Sequence, residues 1–260
     1  MTKTGTIIVT GASRGIGAAI ALSLAEQGYL VACLSRKGEL PAVSGLTGVA
    51  GAPGAPGATN ATLGRCVGFV ADVTQSGSLR DTFAKVAELG LPIVGLVNNA
   101  GVHLEGPSDT FTQDDYDTVF STNATAVFVG CQHIYPHLVA AGGGLIVNIG
   151  SFFDKLGVKR NLAYCASKAA VGAITRCLAV EWAGKGIRVM DVAPGYITTD
   201  LNRSVMESGP LRAYLEKRIP GREPGSADDV ARLVRGLFVL DSPFLSGETI
   251  YIDGAQGIAH

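Results

Sequence analysis

The chain has 260 residues, of which 47% are hydrophobic and 17% charged, and its formal net charge is −1. This length and composition suit one domain with one sizeable core, and nothing requires a second domain. Because the charges are balanced and no basic cluster occurs, we expect no nucleic-acid partner and no attraction to an acidic membrane surface.

The cysteines and the start of the chain predict the compartment. Five cysteines are scattered without a Cys-x-x-Cys pair, which indicates reduced core thiols instead of a disulfide framework. Gly5 leads directly into an apolar run, which leaves no room for a signal peptide, and no apolar run reaches membrane-spanning length. We therefore expect a cytoplasmic protein with no membrane partner.

The first predicted elements are a strand, a glycine-rich turn and a helix. Thr6 to Thr10 is short, β-branched and uncharged, which is typical of a strand buried on both faces. Gly11-Ala-Ser-Arg-Gly-Ile-Gly17 follows, and then an alanine-rich run to Glu26, closed by Gly28. Glycines let the backbone approach a pyrophosphate, and a helix N-terminus offers free N–H groups, so this order predicts a dinucleotide-binding turn. A tight turn without a ligand is the alternative interpretation.

The second predicted strand, Tyr29 to Ser35, is not followed by the usual crossover helix. Residues 40–64 carry no charge, and residues 51–58 combine glycine, alanine and proline, which cannot propagate a helix. We predict an irregular loop over residues 38–65, with a tolerated insertion as its simplest explanation.

The remainder of the chain alternates strands with helices. Predicted strands are Cys66–Val70, Pro92–Val97, Gly144–Ile149, Ile187–Val192 and Thr249–Ile252. Predicted helices are Ser76–Leu89, Thr112–Ala140 with an interruption at Pro136, Asn161–Trp182 and Ser226–Leu240. The alternation predicts a single α/β domain over residues 1–260, with a doubly wound, Rossmann-like parallel sheet of about seven strands and helices on both faces. Residues 198–224 are polar and broken by glycine-proline pairs, so we predict a mobile lid over the substrate.

Tyr164 and Lys168 are four residues apart in one predicted helix, which places both side chains on one face. A cation about 4 Å from a phenolate contributes roughly 4 kcal/mol at an effective dielectric of about 20, which would lower the tyrosine pKa from about 10 to roughly 7. Such a pair can donate and recover a proton, so it predicts acid/base catalysis. A solvated lysine beside a half-buried tyrosine is the alternative interpretation.

Further motifs accompany this pair, most of them at the carboxyl ends of predicted strands, where doubly wound sheets bind ligands. They are Thr10-Gly-x-x-x-Gly-x-Gly17, Asp72, Asn98-Asn-Ala-Gly101, Asn123, Ser151, Tyr164-x-x-x-Lys168 and Pro194-Gly195. Together and in this order they resemble the motifs of the short-chain dehydrogenase/reductase superfamily over nearly the whole chain. The closest likeness is to the 3-oxoacyl-carrier-protein-reductase-like branch.

The resemblance implies a nicotinamide-dependent oxidoreductase with four catalytic residues. Tyr164 would transfer a proton to the reacting oxygen, and Ser151 would donate a hydrogen bond to it. Lys168 would hold the cofactor ribose and depress the pKa of Tyr164, while Asn123 would fix a water that relays protons. The implied cofactor-binding residues are Gly11, Ser13, Arg14, Gly15, Ile16, Gly17, Ser35, Arg36, Asp72, Val73, Asn99, Ala100, Gly101, Tyr164, Lys168, Pro194, Gly195, Ile197 and Thr199. A turn serine and a buried structural amide are the alternative interpretations of Ser151 and Asn123.

The end of the second strand predicts which nicotinamide cofactor is used. Enzymes selective for NAD usually place an acid there, which repels a 2′-phosphate. In this chain Ser35 occupies that position, Arg36 follows it, and Arg14 lies in the glycine turn. Two guanidinium groups would clamp a 2′-phosphate, so we predict NADP(H). Two solvated surface arginines are the alternative interpretation.

The predicted substrate residues are mostly apolar and aromatic: His103, Phe152, Phe153, Leu162 and Tyr196. We expect a small, mostly apolar carbonyl compound or secondary alcohol. A 3-oxoacyl thioester on an acyl-carrier protein is a second hypothesis, although Ala140-Ala-Gly-Gly-Gly144 lacks the basic residue usual in carrier-binding relatives. A non-catalytic NADP-binding regulatory protein is a third.

Metal binding and assembly complete the predictions. His133 and His137 have zinc-ligand spacing, but no glutamate lies beside them and Pro136 intervenes, so we predict no metal site. The helices around Thr112–Ala140 and Asn161–Trp182 are apolar on more than one side, which favours burial against a second subunit. The resemblance implies a homotetramer or homodimer.

Overall fold

A computed structural model describes residues 5–41, 65–200, 202–206, 208–240 and 242–259. Most of the predicted loop over residues 38–65 therefore lies outside the described residues. Within the described ranges, no helix combines the length and the apolar character needed to cross a membrane.

Seven parallel strands form the central sheet, as predicted. The nine strands in chain order are β1 Thr6–Thr10, β2 Leu30–Ser35, β3 Cys66–Val70, β4 Ile93–Asn98, β5 Gly144–Ile149, β6 Ile187–Pro194, β7 Ile197–Thr198, β8 Gly225–Ser226 and β9 Thr249–Ile252. The sheet order is β3-β2-β1-β4-β5-β6-β9, whereas β7 and β8 form a separate ladder. The order reverses between β1 and β4, so a crevice opens beyond their carboxyl ends, where such sheets bind ligands.

Eight α-helices connect the described strands. They are α1 Gly15–Glu26, α2 Ser76–Ala87, α3 Gln113–Phe120, α4 Ala126–Ala140, α5 Leu162–Trp182, α6 Arg203–Met206, α7 Gly209–Arg218 and α8 Ala227–Val239. A π-helical segment, Ser121–Thr125, separates α3 from α4. The predicted interruption at Pro136 is wrong, because α4 continues through it with Ile134 and Leu138 fully buried on either side. Packing of these side chains outweighs the single backbone N–H that proline lacks.

The core has two layers, one on each face of the sheet. Along β1, Ile7 and Val9 join the cluster under α1 and α8, whereas Ile8 joins the cluster under α2, α4 and α5. All three residues are fully buried, because successive strand residues point to opposite faces and helices cover both. This confirms the doubly wound architecture.

A buried polar chain ties the centre of the sheet to α5. The Asn98 Nδ2 donates to Asn148 Oδ1 at 2.9 Å, and the Asn148 Nδ2 donates to Thr175 Oγ1 at 2.9 Å. Because buried amides are costly unless they are paired, this chain holds β4, β5 and α5 in one relative position. The end of β5 and the start of α5 carry the predicted catalytic residues.

Candidate active site

The glycine turn is packed closely against the loop after β4. The Asn99 Nδ2 donates to Thr10 O at 3.0 Å and to Gly11 O at 3.2 Å, and Ala100 N donates to Thr10 Oγ1 at 3.0 Å. A β-carbon at Gly17 would overlap Gly11 O and Asn99 Nδ2. Glycine is therefore required at position 17 by a backbone contact.

The N-terminus of α1 forms a cradle for an anion. Its N-cap residue is Arg14, and no side chain caps the first turn. The N–H groups of this turn therefore face outward with the positive end of the helix dipole, which fits a pyrophosphate. Ser13, Gly15 and Ile16 surround the same turn. The residues present thus fit the phosphates of a dinucleotide.

The end of β2 carries positive charge. It has no acidic residue at position 35, where enzymes selective for NAD usually place one. Ser35 Oγ accepts from Glu39 N at 3.0 Å, and the Glu39 carboxylate pairs with Lys37 at 3.8 Å. Arg14 and Arg36 are exposed, and neither guanidinium has a side-chain partner among the described residues. Both remain available to a phosphate.

Asp72 and Val73 lie beyond the end of β3, the strand beside β2. The Asp72 carboxylate accepts from Thr74 N at 3.0 Å and from Thr74 Oγ1 at 2.8 Å. These bonds hold the turn that follows β3. Contact of Asp72 and Val73 with a cofactor stays a prediction.

Ser151 and Tyr164 meet at the mouth of the crevice. Ser151 follows β5, where its Oγ accepts from Phe153 N at 3.2 Å, which leaves its hydroxyl proton free to be donated. The Tyr164 ring packs against His103 at 4.6 Å and Phe153 at 6.0 Å between ring centroids. Burial raises the pKa of Tyr164, and the neighbouring Ser151 hydroxyl opposes that rise.

Burial raises the pKa of Tyr164, in contrast to the lowering that its spacing to Lys168 predicted. The Nζ lies 5.7 Å from the Tyr164 ring centroid and donates to Ile149 O at 2.7 Å. Lys168 is itself buried, which lowers its pKa to about 8, while the charge of Asp191 opposes that fall. Desolvation of both groups therefore outweighs their attraction.

Asn123 lies in the π-helical segment and braces the loop after Gly101. Its Oδ1 accepts from Val102 N at 2.8 Å, and its Nδ2 donates to Val102 O at 2.9 Å and to Ser167 Oγ at 3.2 Å. The side-chain amide is thus fully engaged with protein groups. A water relay at this residue stays a prediction, for which π-helical insertions at functional sites are a precedent.

One cleft of about 570 Å³ brings together three of the four predicted catalytic residues, all except Asn123, and four of the five predicted substrate residues. Its wall includes Ser151, Tyr164, Lys168, His103, Phe152, Phe153 and Tyr196, together with Ile16, Asn99, Gly101, Pro194, Gly195, Ile197 and Thr199. Sequence reasoning missed Val102, Glu105, Val158, Asn161, Met206 and Leu211, which also line it. Asn161 could have been found, because it lies three residues before Tyr164 at the start of the same helix.

Leu162, predicted as a substrate residue, does not line this cleft. Two residues before Tyr164, it points to a nearly opposite side of α5. Its side chain is 54% exposed and borders a separate cavity of about 140 Å³ with Phe111 and Tyr116.

The His103 imidazole is held in one tautomer. Its Nε2 bonds Asn161 Oδ1, and the Asn161 Nδ2 donates to Lys159 O at 2.9 Å, which fixes the amide orientation. The Asn161 oxygen can only accept, so the Nε2 of the neutral ring carries the proton. Nδ1 is then left as an acceptor.

Comparison with known proteins shows the family. The profile of the short chain dehydrogenase family matches residues 5–209. Over 258 residues the chain is 33% identical to glucose 1-dehydrogenase of Gluconobacter oxydans, which covers 95% of the chain and 90% of that protein. It is 34% identical over 251 residues to a 3-oxoacyl-[acyl-carrier-protein] reductase of Chlamydia pneumoniae, covering 95% of each. The crystal structure of a gluconate 5-dehydrogenase from Burkholderia cenocepacia, in complex with NADP and tartrate, superposes with a TM-score of 0.83 at 29% identity, covering 98% and 96% of the two chains.

Proposed function

The chain belongs to the short-chain dehydrogenase family and is an oxidoreductase that uses a nicotinamide cofactor, and from this premise we propose that it interconverts a small, mostly apolar carbonyl compound and its secondary alcohol with NADP(H). One observation carries the proposal: Ser151, Tyr164 and Lys168 line the same cleft as Ile16 and Gly195, which flank the anion cradle and the end of β6. A proton donor and a dinucleotide site thus share one cavity.

The preference for NADP(H) is supported by charge. Arg14 in the glycine turn and Arg36 after β2 are both exposed, and no acid occupies the position of Ser35. Charge-assisted hydrogen bonds of this type contribute about 1.5–3 kcal/mol each.

Residues of the chain itself carry out the proton transfer. When bound, the nicotinamide supplies the hydride for carbonyl reduction. Tyr164 donates its phenolic proton to the carbonyl oxygen, and the free hydroxyl proton of Ser151 stabilises the negative charge that develops there. The Lys168 ammonium stabilises the phenolate left behind and would hold the ribose hydroxyls. The glycine turn and the first turn of α1 would bind the pyrophosphate.

The substrate wall is mostly apolar, with one polar edge. Phe152, Phe153 and Tyr196 pack together, with centroid distances of 4.8 Å between the phenylalanines and 5.7 Å between Phe152 and Tyr196. His103 lines the same cleft, and its Nδ1 acceptor can receive a hydrogen bond from a hydroxyl group next to the reacting carbon. We therefore place α-hydroxyketones beside simple ketones among the candidate substrates.

A second candidate, reduction of a 3-oxoacyl thioester, is favoured by the similarity to an acyl-carrier-protein reductase. The uncharged residues after α4, Ala141 to Gly144, offer no cation to an acidic carrier protein. We therefore expect free thioesters to be poorer substrates than ketones.

The test is NADPH oxidation by the purified protein with a panel of ketones, α-hydroxyketones, aldehydes and 3-oxoacyl thioesters. Tyr164→Phe should lower kcat by at least about 100-fold and leave NADPH binding nearly intact, because it removes a proton and little else. Tyr116→Phe is the matched control, since Tyr116 stacks on Phe120 outside the cleft. Retention of more than a few per cent of the rate in Tyr164→Phe would remove Tyr164 from the acid role. Tight NADPH binding without turnover on the whole panel would favour the regulatory alternative.

The proposal extends to assembly and compartment. Phe128 and Val139 on α4, and Val180 on α5, are exposed apolar side chains, which fits burial in a homotetramer or homodimer. Sedimentation as a clean monomer at micromolar concentration would contradict this.

All five cysteines are free thiols, which fits a reducing cytoplasm.

A further inference from the structure

Asp191 on β6 is a buried acid that the proposed chemistry leaves unexplained. Its side chain is 0% exposed. Its Oδ2 accepts from Thr249 Oγ1 at 3.0 Å, whereas its Oδ1 has no hydrogen-bond partner among the described residues. A buried carboxylate with an unsatisfied oxygen is costly, so its presence calls for a compensating charge.

The compensating charge is on Lys168. A β-carbon at Gly150 would lie 2.5 Å from Asp191 Oδ1 and 2.8 Å from Oδ2, so the carboxylate lies directly against this glycine. The neighbouring carbonyl, Ile149 O, accepts from Lys168 Nζ at 2.7 Å. The buried carboxylate and the buried ammonium thus contact the same two-residue segment at the end of β5.

We propose that Asp191 is a positioning residue, a buried counter-charge that keeps Lys168 protonated at neutral pH and thereby sets the pH range over which Tyr164 can act.

The ionisation of both groups is consistent with this role. Burial lowers the pKa of Lys168 to about 8, and Asp191 is the one charge that opposes this fall. Burial raises the pKa of Asp191 to about 6, and the Thr249 hydrogen bond and the charge of Lys168 oppose that rise. Each of the two charges therefore favours the charged form of the other.

Other charged groups near the pair lie closer to solvent. Asp154 also raises the pKa of Asp191, but its carboxylate accepts from Tyr251 Oη at 2.9 Å in an exposed contact. Lys155 Nζ lies 3.4 Å from the Tyr251 ring centroid, and Arg176 on α5 lowers the pKa of Tyr251. Solvent screens these exposed charges. On the cleft side, Tyr164 and His103 are titratable groups that line the same cleft as Lys168.

A direct measurement does not need turnover, although the enzymatic consequence rests on the proposed function. Cofactor-free protein carrying 13C-labelled lysine is titrated by NMR, and the Lys168 signal is assigned by its loss in Lys168→Arg. Asp191→Asn should lower the Lys168 midpoint by about one pH unit or more. Asp154→Asn, the same change at a half-buried acid that bonds Tyr251, should leave that midpoint in place. An unchanged midpoint in Asp191→Asn would overturn the proposal.

The activity profile provides the second readout. In Asp191→Asn the alkaline limb of kcat/KM should move to lower pH by the same amount, whereas a structural role alone would lower the rate equally at every pH. Thr249→Val covers the case in which Asp191→Asn fails to fold: it removes the bond that lowers the pKa of Asp191, so the acidic limb should move to higher pH. A stationary acidic limb would overturn the proposal. If no substrate is turned over, the proposed function fails while the NMR titration still decides the role of Asp191.

Discussion

Replacement of Gly17 by alanine tests the close approach on which the cofactor cradle depends. Alanine is intrinsically the better residue in a helix, by about 0.5–1 kcal/mol. At Gly17, however, the added methyl would overlap Gly11 O and Asn99 Nδ2, and both atoms belong to the network that joins β1 to the loop after β4. Asn99 Nδ2 belongs to a side chain, but Gly11 O is a backbone atom that no rotamer change can move, so the backbone must shift.

We expect Gly17→Ala to cost about 1–3 kcal/mol of unfolding free energy, the usual cost of an overpacked site. Gly77→Ala is the matched control, because Gly77 lies in the first turn of α2 with no atom within 4 Å of the added methyl. That variant should be as stable as the wild type or slightly more stable. The change in the free energy of unfolding should thus have opposite signs in the two variants, which distinguishes the effect of close packing from that of intrinsic helix propensity.

Urea unfolding followed by circular dichroism gives both free energies, and quenching of protein fluorescence gives the Kd for NADPH. A backbone shift that costs about 1.4 kcal/mol of binding would raise the Kd tenfold, and we expect at least that in Gly17→Ala and no change in Gly77→Ala. The reasoning is refuted if Gly17→Ala unfolds at the wild-type urea concentration and binds NADPH with the wild-type Kd.

Three other predictions address the cofactor, the lid and a buried charge. NADPH should be preferred over NADH by at least about tenfold in kcat/KM. Arg36→Ala should reduce that preference by raising the KM for NADPH alone, whereas Lys37→Ala should leave it unchanged. Equal use of both cofactors by the wild type would contradict the proposal that Arg14 and Arg36 bind the 2′-phosphate. Tryptic cleavage after Lys217 in α7 should slow when NADPH and a substrate analogue are added together, and unchanged cleavage would indicate a static segment. Burial raises the pKa of Asp191 to about 6, so this acid ionises near pH 4 in the unfolded chain and only near pH 6 in the folded chain. The free energy of unfolding should therefore fall by about 3 kcal/mol as the pH rises from about 4 to about 6. Urea unfolding of Asp191→Asn should lack that fall, and a wild-type pH profile in the variant would contradict it.

The sheet and the glycine turn were predictable because their local patterns match their tertiary environment. The three central residues of β1 are apolar and covered by two helical layers, and the order of strand, glycines and helix has few other uses. Helix phase was the weaker guide: it correctly joined Tyr164 to Lys168, yet Leu162 was assigned to the cleft although it lies about 200° from Tyr164 around α5.

Burial and long-range pairing are what the sequence could not reveal. The spacing of Tyr164 and Lys168 predicted their proximity but not the desolvation that dominates both pKa values. Similarly, nothing local marks Asp191, because its relation to Lys168 depends on how β5, β6 and α5 pack. The continuation of α4 through Pro136 has the same origin, since side-chain packing overrides a local preference.

The small ladder of β7 and β8 joins the two ends of the predicted lid separately from the main sheet. Its two residue pairs, Ile197 with Gly225 and Thr198 with Ser226, hold the two ends of the intervening segment together. The described residues of that segment form no ladder with the main sheet. The entropic cost of closing such a segment grows only slowly with its length. Evolution can therefore lengthen, shorten or exchange residues 200–224 without disturbing the sheet or the glycine turn. A loop transplanted between these anchors would change which molecules the enzyme accepts and leave its nicotinamide chemistry as it was.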